Sequence, residues 1–198
     1  LKLDLLASAI AAFTAAGYRQ IGMDHFALPD DELSRAVEAR SLHRNFMGYT
    51  VQSARDMVAL GVSGIGDVQG TFVQNAKKLS AYYEAIEAGR LPVERGYTLD
   101  ADDRVRRHVI TELMCNFHLD VLAVERRFDI AFPEYFGREL FELTGPGSPE
   151  ADGLVRVKAD SIEVTRLGRL FVRNVCMVFD RYLRARTAGP TPVFSRTV

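Results

Sequence analysis

The sequence is poor in cysteine and has almost no excess of charge of either sign. Cys115 and Cys176 are its two cysteines and lie far apart in apolar, helix-like segments, so a disulfide framework or a CxxC zinc site is not expected. Both are predicted to be buried free thiols. The 25 Lys and Arg residues oppose 26 Asp and Glu residues, for a formal net charge of -1. This balance disfavours nucleic acid or an anionic membrane as the main partner.

The sequence also lacks a long hydrophobic run and an initial methionine. Its most apolar stretch, LASAIAAFTAAG, is too short to span a bilayer, and no basic leader precedes it. We therefore expect a cytoplasmic protein with no membrane partner. The chain opens at Leu1 inside a helix-like pattern, which indicates part of a longer protein. Its 198 residues, 47% of them hydrophobic, can form one large or two small domains.

The first half alternates between helical and extended patterns. A helix is predicted to end at Gly17, and a second one, DELSRAVEAR, begins at Asp30 or Asp31. Further elements are predicted in chain order: a strand YRQIGMDHF before the second helix, then a strand NFMGYTVQ, a helix SARDMVALG, a glycine loop GVSGIGDVQG and a helix KLSAYYEAIEAG. In parallel α/β folds ligands bind at the carboxyl ends of strands, which makes Asp24 and His25 candidates. Adjacent strand residues point to opposite faces, so the two are not expected to act as a couple.

The second half is mainly helical. Three helices, VRRHVITELMCNF, DVLAVERRF and PEYFGRELFEL, precede a hairpin GLVRVKADSIEVT and a long helix RLGRLFVRNVCMVFDRYLRA. This order resembles a winged-helix module. A DNA reader needs basic or amide side chains on its recognition helix, whereas the third helix here is acidic. Packing against another domain is therefore the preferred interpretation, and no nucleic-acid partner is expected.

Candidate binding residues cluster in the segment SLHRNFMGYT. His43, Arg44 and Asn45 are mostly hydrogen-bond donors and suit carboxylates or phosphates. The alternative is that Arg44 pairs with an acid of the preceding helix and His43 caps its end. The glycines of GVSGIG lack the lysine of a P-loop but would let the backbone approach a flat ligand. No His, Cys, Asp and Glu cluster has the spacing of metal ligands, so no metal site is predicted.

Five segments together carry a resemblance to a known family. They are IGMDHFALPDDEL, LHRNFMGYT, GVSGIG with a later QN, RRHVITELMCNF, and GRLFVRN with a terminal FSR. This combination resembles the oxygen-independent coproporphyrinogen III oxidase family of radical S-adenosylmethionine enzymes, in their carboxyl-terminal part only. The resemblance implies an α/β plus mainly helical fold. Residues 1–97 would be the last units of an incomplete, TIM-like α/β barrel, 98–186 a winged-helix-like helical domain with a β-hairpin, and 187–198 an extended tail.

The resemblance also implies the chemistry of the complete enzyme. Two propionates of coproporphyrinogen III are oxidatively decarboxylated to vinyl groups, giving protoporphyrinogen IX, with S-adenosylmethionine, a [4Fe-4S] cluster and an external electron donor. The cluster is held by three closely spaced cysteines that belong upstream of Leu1, and Cys115 and Cys176 cannot replace them. This chain alone is therefore expected to hold no cluster and to be inactive. The complete enzyme is expected to be a monomer.

Site residues follow from the resemblance position by position. Phe46, Met47 and Ile65 match positions that contact S-adenosylmethionine, where a ring and aliphatic groups among glycines suit adenine. Met47 departs from a family member that has glutamine there, and a thioether cannot replace an amide hydrogen bond. From their chemistry alone, His43, Arg44, Asp24 and His25 are further candidates for substrate or cofactor carboxylates. No catalytic residue is assigned.

Two alternative functions remain open from the sequence. The first is a haem-binding or haem-delivering member of the same family, which shares the general fold but carries haem instead of decarboxylating a porphyrinogen. The second is a winged-helix regulator that binds duplex DNA in a salt-dependent way.

Overall fold

The computed structural model describes residues 2–187 and shows mixed helix and sheet content. The predicted tail therefore lies outside the described residues from position 188 on, as does the FSR segment. The chain forms two compact units, one from the residues up to Val51 together with those from Val105 on, the other from Gln52–Arg104. The domain boundary between residues 97 and 98, which the family resemblance implies, stays a prediction. No helix among residues 2–187 is long and apolar enough to cross a membrane.

Short elements dominate the first half of the chain. In order they are α1 (Lys2–Ala15), β1 (Arg19–Gly22), β2 (His25–Ala27), α2 (Glu32–Glu38), β3 (His43–Asn45), β4 (Gly48–Thr50), β5 (Ile65–Val68), β6 (Thr71–Asn75), α3 (Leu79–Glu87) and β7 (Val93–Thr98). The predicted end of the first helix and the predicted start of the second helix are confirmed. Gly17 lies just past α1 with φ +86°, and the Asp31 carboxylate accepts the Leu33 N–H at 2.8 Å at the start of α2.

The two strands predicted on either side of α2 are wrong, because each is a tight antiparallel hairpin. β1 pairs with β2, and the turn between them contains Met23 and Asp24. β3 pairs with β4 in the register His43 with Thr50 and Asn45 with Gly48. All strand pairs within residues 2–187 are antiparallel, so the described residues do not form the parallel strand edge from which Asp24 and His25 were inferred.

The second unit is a three-stranded sheet in the order β5-β6-β7, with α3 after β6. The helix predicted over SARDMVALG is wrong. This segment is irregular, and its one regular contact is a bridge from Met57 to Asp67 of β5, with N···O distances of 2.7 and 2.8 Å. The glycine segment runs directly into β5 rather than forming a continuous loop, and β7 is a strand that the sequence reading missed.

The second half holds the larger core. Its elements are α4 (Ala101–Asn116), β8 (His118–Asp120), α5 (Val121–Phe128), α6 (Phe132–Tyr135), α7 (Gly137–Thr144), β9 (Val155–Val157), β10 (Ser161–Val164), α8 (Val172–Met177) and α9 (Arg181–Thr187), with a 3-10 turn over Gly168–Phe171. The predicted hairpin is confirmed as β9 and β10, and β8 joins it in the order β8-β10-β9. The predicted third helix is divided into α6 and α7, and the predicted long closing helix is divided into the 3-10 turn, α8 and α9.

A buried carboxylate links three of these helices. The Glu139 side chain on α7 is 4% exposed, and its Oε1 accepts N–H groups from Arg106 of α4 and Arg184 of α9, each at 2.8 Å. Burial alone would raise the pKa of Glu139, but the hydrogen bonds from Arg106 and from the backbone, with that from Arg184, together lower it. The ionised carboxylate therefore holds α4, α7 and α9 together.

We expect Glu139→Gln to lower the free energy of unfolding by about 3 kcal/mol at neutral pH, because it removes the buried negative charge that two guanidinium groups share. Since the pKa of Glu139 is lower in the folded state, its contribution is present above the unfolded value of about 4.3 and is lost as pH falls through the folded value. Urea titrations from pH 7 to pH 3 measure both effects. Glu134→Gln, at an exposed position on α6, is the matched control and should change stability by less than about 0.5 kcal/mol. Equal stability losses in the two variants would contradict the assignment.

Candidate functional site

The tip of the β3–β4 hairpin presents two large apolar side chains to solvent. The Asn45 side-chain oxygen accepts the backbone N–H groups of Met47 at 2.8 Å and Gly48 at 3.2 Å, which closes a local turn. Gly48 adopts φ +139°, a conformation that side chains disfavour. The turn leaves Phe46 53% exposed and Met47 90% exposed. Because the backbone is held by Asn45, the two side chains are displayed in a defined direction.

The β1–β2 and β3–β4 hairpins pack against each other through two glycines. A Cβ atom at Gly22 would overlap the ring of Tyr49, and one at Gly48 would lie 2.8 Å from Nε2 of His25. The rings of His25 and Tyr49 meet edge to face with centroids 5.0 Å apart. The hairpins can approach this closely only because glycine has no side chain at either position, so packing requires glycine at both.

Asp24 and His25 form a couple, contrary to the sequence prediction. The Asp24 carboxylate oxygen lies 2.8 Å from Nδ1 of His25. The prediction failed because Asp24 lies in the turn of a hairpin, where the alternation of a strand does not apply. A carboxylate can only accept, so this hydrogen bond assigns a proton to Nδ1 and leaves Nε2 facing Gly48. The Asp24 carboxylate thereby orients the imidazole.

Arg44 lies against Tyr49 instead of pairing with an acid of α2. Its guanidinium carbon is 5.6 Å from the centroid of the Tyr49 ring, and its Nη1 lies 3.7 Å from the sulfur of Met114. The carboxylate of Glu38, on α2, pairs with Arg19. His43 is a strand residue opposite Thr50 and does not cap the helix end. The structure therefore contradicts the alternative interpretation of Arg44 and His43.

Tyr49 is the residue at this site that sequence reasoning missed. Its hydroxyl donates to the carbonyl of Met114 at 3.3 Å. Burial, reinforced by the neighbouring Cys115 thiol, raises the pKa of Tyr49 to about 12 despite the opposing effect of Arg44. The phenol is therefore protonated at any physiological pH and acts as a hydrogen-bond donor. The sequence signal that could have found Tyr49 is its position two residues after the exposed tip, within the segment that was predicted to be a single strand.

Ile65 begins β5 in the second unit, opposite Gln74 of β6, and is partly buried. The glycine segment before it is tied down by Asn75, whose side-chain N–H groups donate to the carbonyls of Ala59 at 3.2 Å and Gly61 at 2.9 Å. A Cβ atom at Gly66 would lie 2.9 Å from the carbonyl oxygen of Met57. Here the absence of side chains serves contact with a neighbouring backbone, and the proposed contact of Ile65 with a ligand stays a prediction.

The two cysteines do not fit an iron–sulfur cluster. Cys115 and Cys176 are buried free thiols, as the sequence predicted, and burial raises the pKa of each to about 12. Metal ligation needs thiolates, which burial disfavours. Within the part of the chain that the structure describes, no group of three or more His, Cys, Asp and Glu side chains could hold a metal ion.

Comparison with known proteins identifies this region. The family model described as the HemN C-terminal domain matches residues 99–171. The chain is 47% identical over 185 residues to the oxygen-independent coproporphyrinogen III oxidase of Salmonella typhimurium, covering 93% of this chain and 40% of that protein. It is 43% identical over 201 residues to the enzyme of the same name from a Synechocystis species, covering 100% of this chain and 42% of that protein.

A solved structure agrees with these matches. The Escherichia coli coproporphyrinogen III oxidase (HemN), described as a radical SAM enzyme, superposes with a TM-score of 0.87 at 46% sequence identity, over 92% of this chain and 41% of that one. The chain thus spans about 40% of the length of the Salmonella typhimurium and Escherichia coli relatives.

Residues 99–171 are therefore a HemN C-terminal domain. The wider family expected from the sequence is confirmed as well, because the whole match is to the carboxyl-terminal region of oxygen-independent coproporphyrinogen III oxidases.

The close approach of Gly22 to Tyr49 makes a direct prediction. Gly22→Ala should lower the free energy of unfolding by about 1 to 3 kcal/mol, because the added methyl group must displace a ring that is packed and hydrogen bonded. Thermal or urea unfolding of this chain measures the change. Gly137→Ala is the matched control, since a Cβ atom there meets nothing within 4 Å at the first residue of α7. That substitution should be neutral or stabilising by up to about 1 kcal/mol; a loss equal to that of Gly22→Ala would refute the packing argument.

Proposed function

We propose that this chain acts as the carboxyl-terminal part of an oxygen-independent coproporphyrinogen III oxidase. The proposed reaction is oxidative decarboxylation of two propionates of coproporphyrinogen III to vinyl groups. The observation that carries the proposal is 47% identity over 93% of the chain to a protein of that name. Because the chain spans about 40% of that protein, the activity is proposed for the assembly of this region with an amino-terminal part that holds the cluster.

The finer description of the fold belongs to the same proposal. Residues 1–97 would be the last units of an incomplete α/β barrel, and residues 98–186 would be a winged-helix-like helical domain. The position of β8 supports the second part. It lies between α4 and α5 in sequence and pairs with β10 of the hairpin, which gives the helix, strand, helix and hairpin order of a winged helix.

Charge argues against DNA as the ligand of this domain. The acids of α7, Glu139 and Glu142, are paired with arginines, among them Arg184 of α9 and Arg138 of α7 itself. The helix therefore offers a neutralised surface rather than a row of free donors for a groove.

Phe46, Met47 and Ile65 are proposed to contact S-adenosylmethionine. The exposed ring of Phe46 and the neighbouring thioether of Met47 offer an apolar bed suited to adenine, and the Asn45 turn fixes its direction. Ile65, the first residue of β5, is included from the family resemblance alone. When bound with its cluster, S-adenosylmethionine supplies the radical that removes a hydrogen from the propionate. The protein groups named here bind and orient.

Arg44 and His25 are proposed to contact substrate or cofactor carboxylates, with His43 beside them. Arg44 keeps donor groups while its guanidinium rests on Tyr49. His25 can offer a second cationic donor when protonated. Asp24 would repel a carboxylate, and its hydrogen bond to His25 supports a positioning role instead.

A chimera tests the proposal directly. In the Escherichia coli enzyme, the region matched by this chain is replaced by this sequence, and anaerobic decarboxylation of coproporphyrinogen III is assayed with S-adenosylmethionine and reductant. We expect protoporphyrinogen formation. Phe46→Ala in the chimera should weaken S-adenosylmethionine binding about tenfold, the size of one lost aromatic contact. Phe141→Ala, an equally large exposed ring on α7, is the matched control.

Two results would contradict the proposal. A folded, cluster-containing chimera without turnover would refute the oxidase assignment, and stoichiometric haem binding by that inactive chimera would favour a haem carrier. Unchanged binding of S-adenosylmethionine in Phe46→Ala would refute the assigned contact while leaving the oxidase assignment intact.

This chain alone should hold no iron–sulfur cluster and show no oxidase turnover, because its two thiols are buried and protonated. Reconstitution with iron and sulfide followed by visible spectroscopy checks this. Iron-dependent absorbance that disappears in Cys115→Ala would overturn the prediction.

A further inference from the structure

The first unit contains a large cleft that the proposed function does not use. Its volume is about 940 Å³, within the range of small-molecule sites. Its lining residues come from α1, β1 and α2, from the end of α4, from β8 and β10, and from the segment that follows β10. All its lining residues belong to that one unit, and Phe46, Met47 and Ile65 are not among them.

The cleft combines an apolar floor with an excess of positive charge. Ile21, Phe117 and Val164 are buried core residues that reach its surface. Its charged lining consists of four arginines and two glutamates: Arg19, Arg40, Arg166, Arg169, Glu38 and Glu163. In a protein with a formal net charge of -1, this is a local concentration of cationic groups.

The two glutamates are already engaged. Glu38 pairs with Arg19, and Glu163 lies 3.4 Å from Nζ of Lys158. Within residues 2–187, no carboxylate forms an ion pair with Arg40, Arg166 or Arg169. Three guanidinium groups are therefore left at the cleft with their donors available.

Arg169 is held in place for binding. Its guanidinium carbon lies 4.4 Å from the centroid of the buried Phe117 ring, a cation–π contact that holds the group against the ring. Burial, and then the nearby charge of Arg166, lower the pKa of Arg169. Two like charges held together disfavour each other, and an anion between them would relieve that repulsion.

Arg40, which also lines the cleft, adds a third donor. It lies just past α2 in the left-handed region, with φ +52°, although it is not a glycine. The end of α2 explains this conformation, because the Ser41 N–H donates to the Ala36 carbonyl at 2.9 Å in the pattern of a helix end that places a left-handed residue at Arg40.

We propose that this cleft binds an amphipathic dianion, in which an apolar body lies on Ile21 and Val164 and two carboxylates are held by Arg166, Arg169 and Arg40. A guanidinium matches a carboxylate through paired hydrogen bonds, and the apolar floor selects for a body that free dicarboxylates lack. Phosphate groups share the anionic chemistry and are distinguished by the experiment. The proposal stands independently of the oxidase assignment, because it concerns different residues and needs neither cluster nor S-adenosylmethionine.

Calorimetric titration of this chain with four probes tests the proposal. The probes are 2,6-naphthalenedicarboxylate, its neutral diamide, succinate and inorganic phosphate. The naphthalenedicarboxylate should bind at least about tenfold more tightly than each of the others, since it alone supplies both the body and the two charges. Its affinity should fall as ionic strength rises.

Variants locate the site. Arg169→Gln and Arg166→Gln should each weaken naphthalenedicarboxylate binding about tenfold, the loss of one charge-assisted contact. Arg173→Gln, an exposed arginine on α8 outside the lining, is the matched control and should bind as the unmodified chain does. Arg166 is exposed, so its variant keeps the test valid if Arg169→Gln disturbs the Phe117 packing.

Three outcomes would overturn the proposal. Equal affinity for the dicarboxylate and its diamide would mean that the cleft binds apolar molecules without regard to charge. Binding of phosphate or succinate as tightly as the naphthalene probe would mean a simple anion site, and equal effects of Arg166→Gln and Arg173→Gln would place binding elsewhere.

Discussion

The packing of the Tyr49 ring into the space left by Gly22 is the contact on which the hairpin site depends. The ring occupies the volume that any side chain at position 22 would need, and its hydroxyl is hydrogen bonded to the carbonyl of Met114 near the end of α4. One side chain thus joins the two hairpins to the longest helix of the described residues. The direction of Phe46 follows from this contact, because the strand that carries Tyr49 begins at the tip turn itself.

The polar groups around Tyr49 are arranged to hold rather than to react. The phenol is kept protonated by burial, the Cys115 thiol is kept protonated for the same reason, and Asp24 is engaged with His25. Under the proposed function, a cofactor would supply the difficult step and these groups would supply geometry. In the same way, no group of three or more His, Cys, Asp and Glu side chains among residues 2–187 could hold a metal ion.

The sequence predicted the elements whose signals are local and missed those set by tertiary contacts. Gly17 and Asp31 marked helix ends correctly, since a left-handed position and a side-chain cap are local requirements. The two hairpins were missed because their strands have three or four residues and their turns carry Met23 with Asp24 and Phe46 with Met47, which are not the usual turn pairs. The Asp24 and His25 couple was missed with them.

The broken closing helix has a similar cause. A Cβ atom at Gly168 would overlap the Leu154 carbonyl, so contact with the segment that contains Leu154 sets the geometry of the first turn. Further on, the Asp180 carboxylate accepts the N–H groups of Tyr182 at 2.9 Å and Leu183 at 3.0 Å, which begins a new helix inside an unbroken amphipathic pattern. Periodicity identifies the apolar face of the helix, whereas tertiary contacts decide where the helix stops.

The pairing of charges is also set by tertiary structure. Arg184 forms an ion pair with Glu139, and Arg166 has no such partner in the described chain, although nothing in the sequence distinguishes the two arginines. A balanced net charge can therefore coexist with a saturated ion-pair network in one place and unpaired guanidinium groups in another.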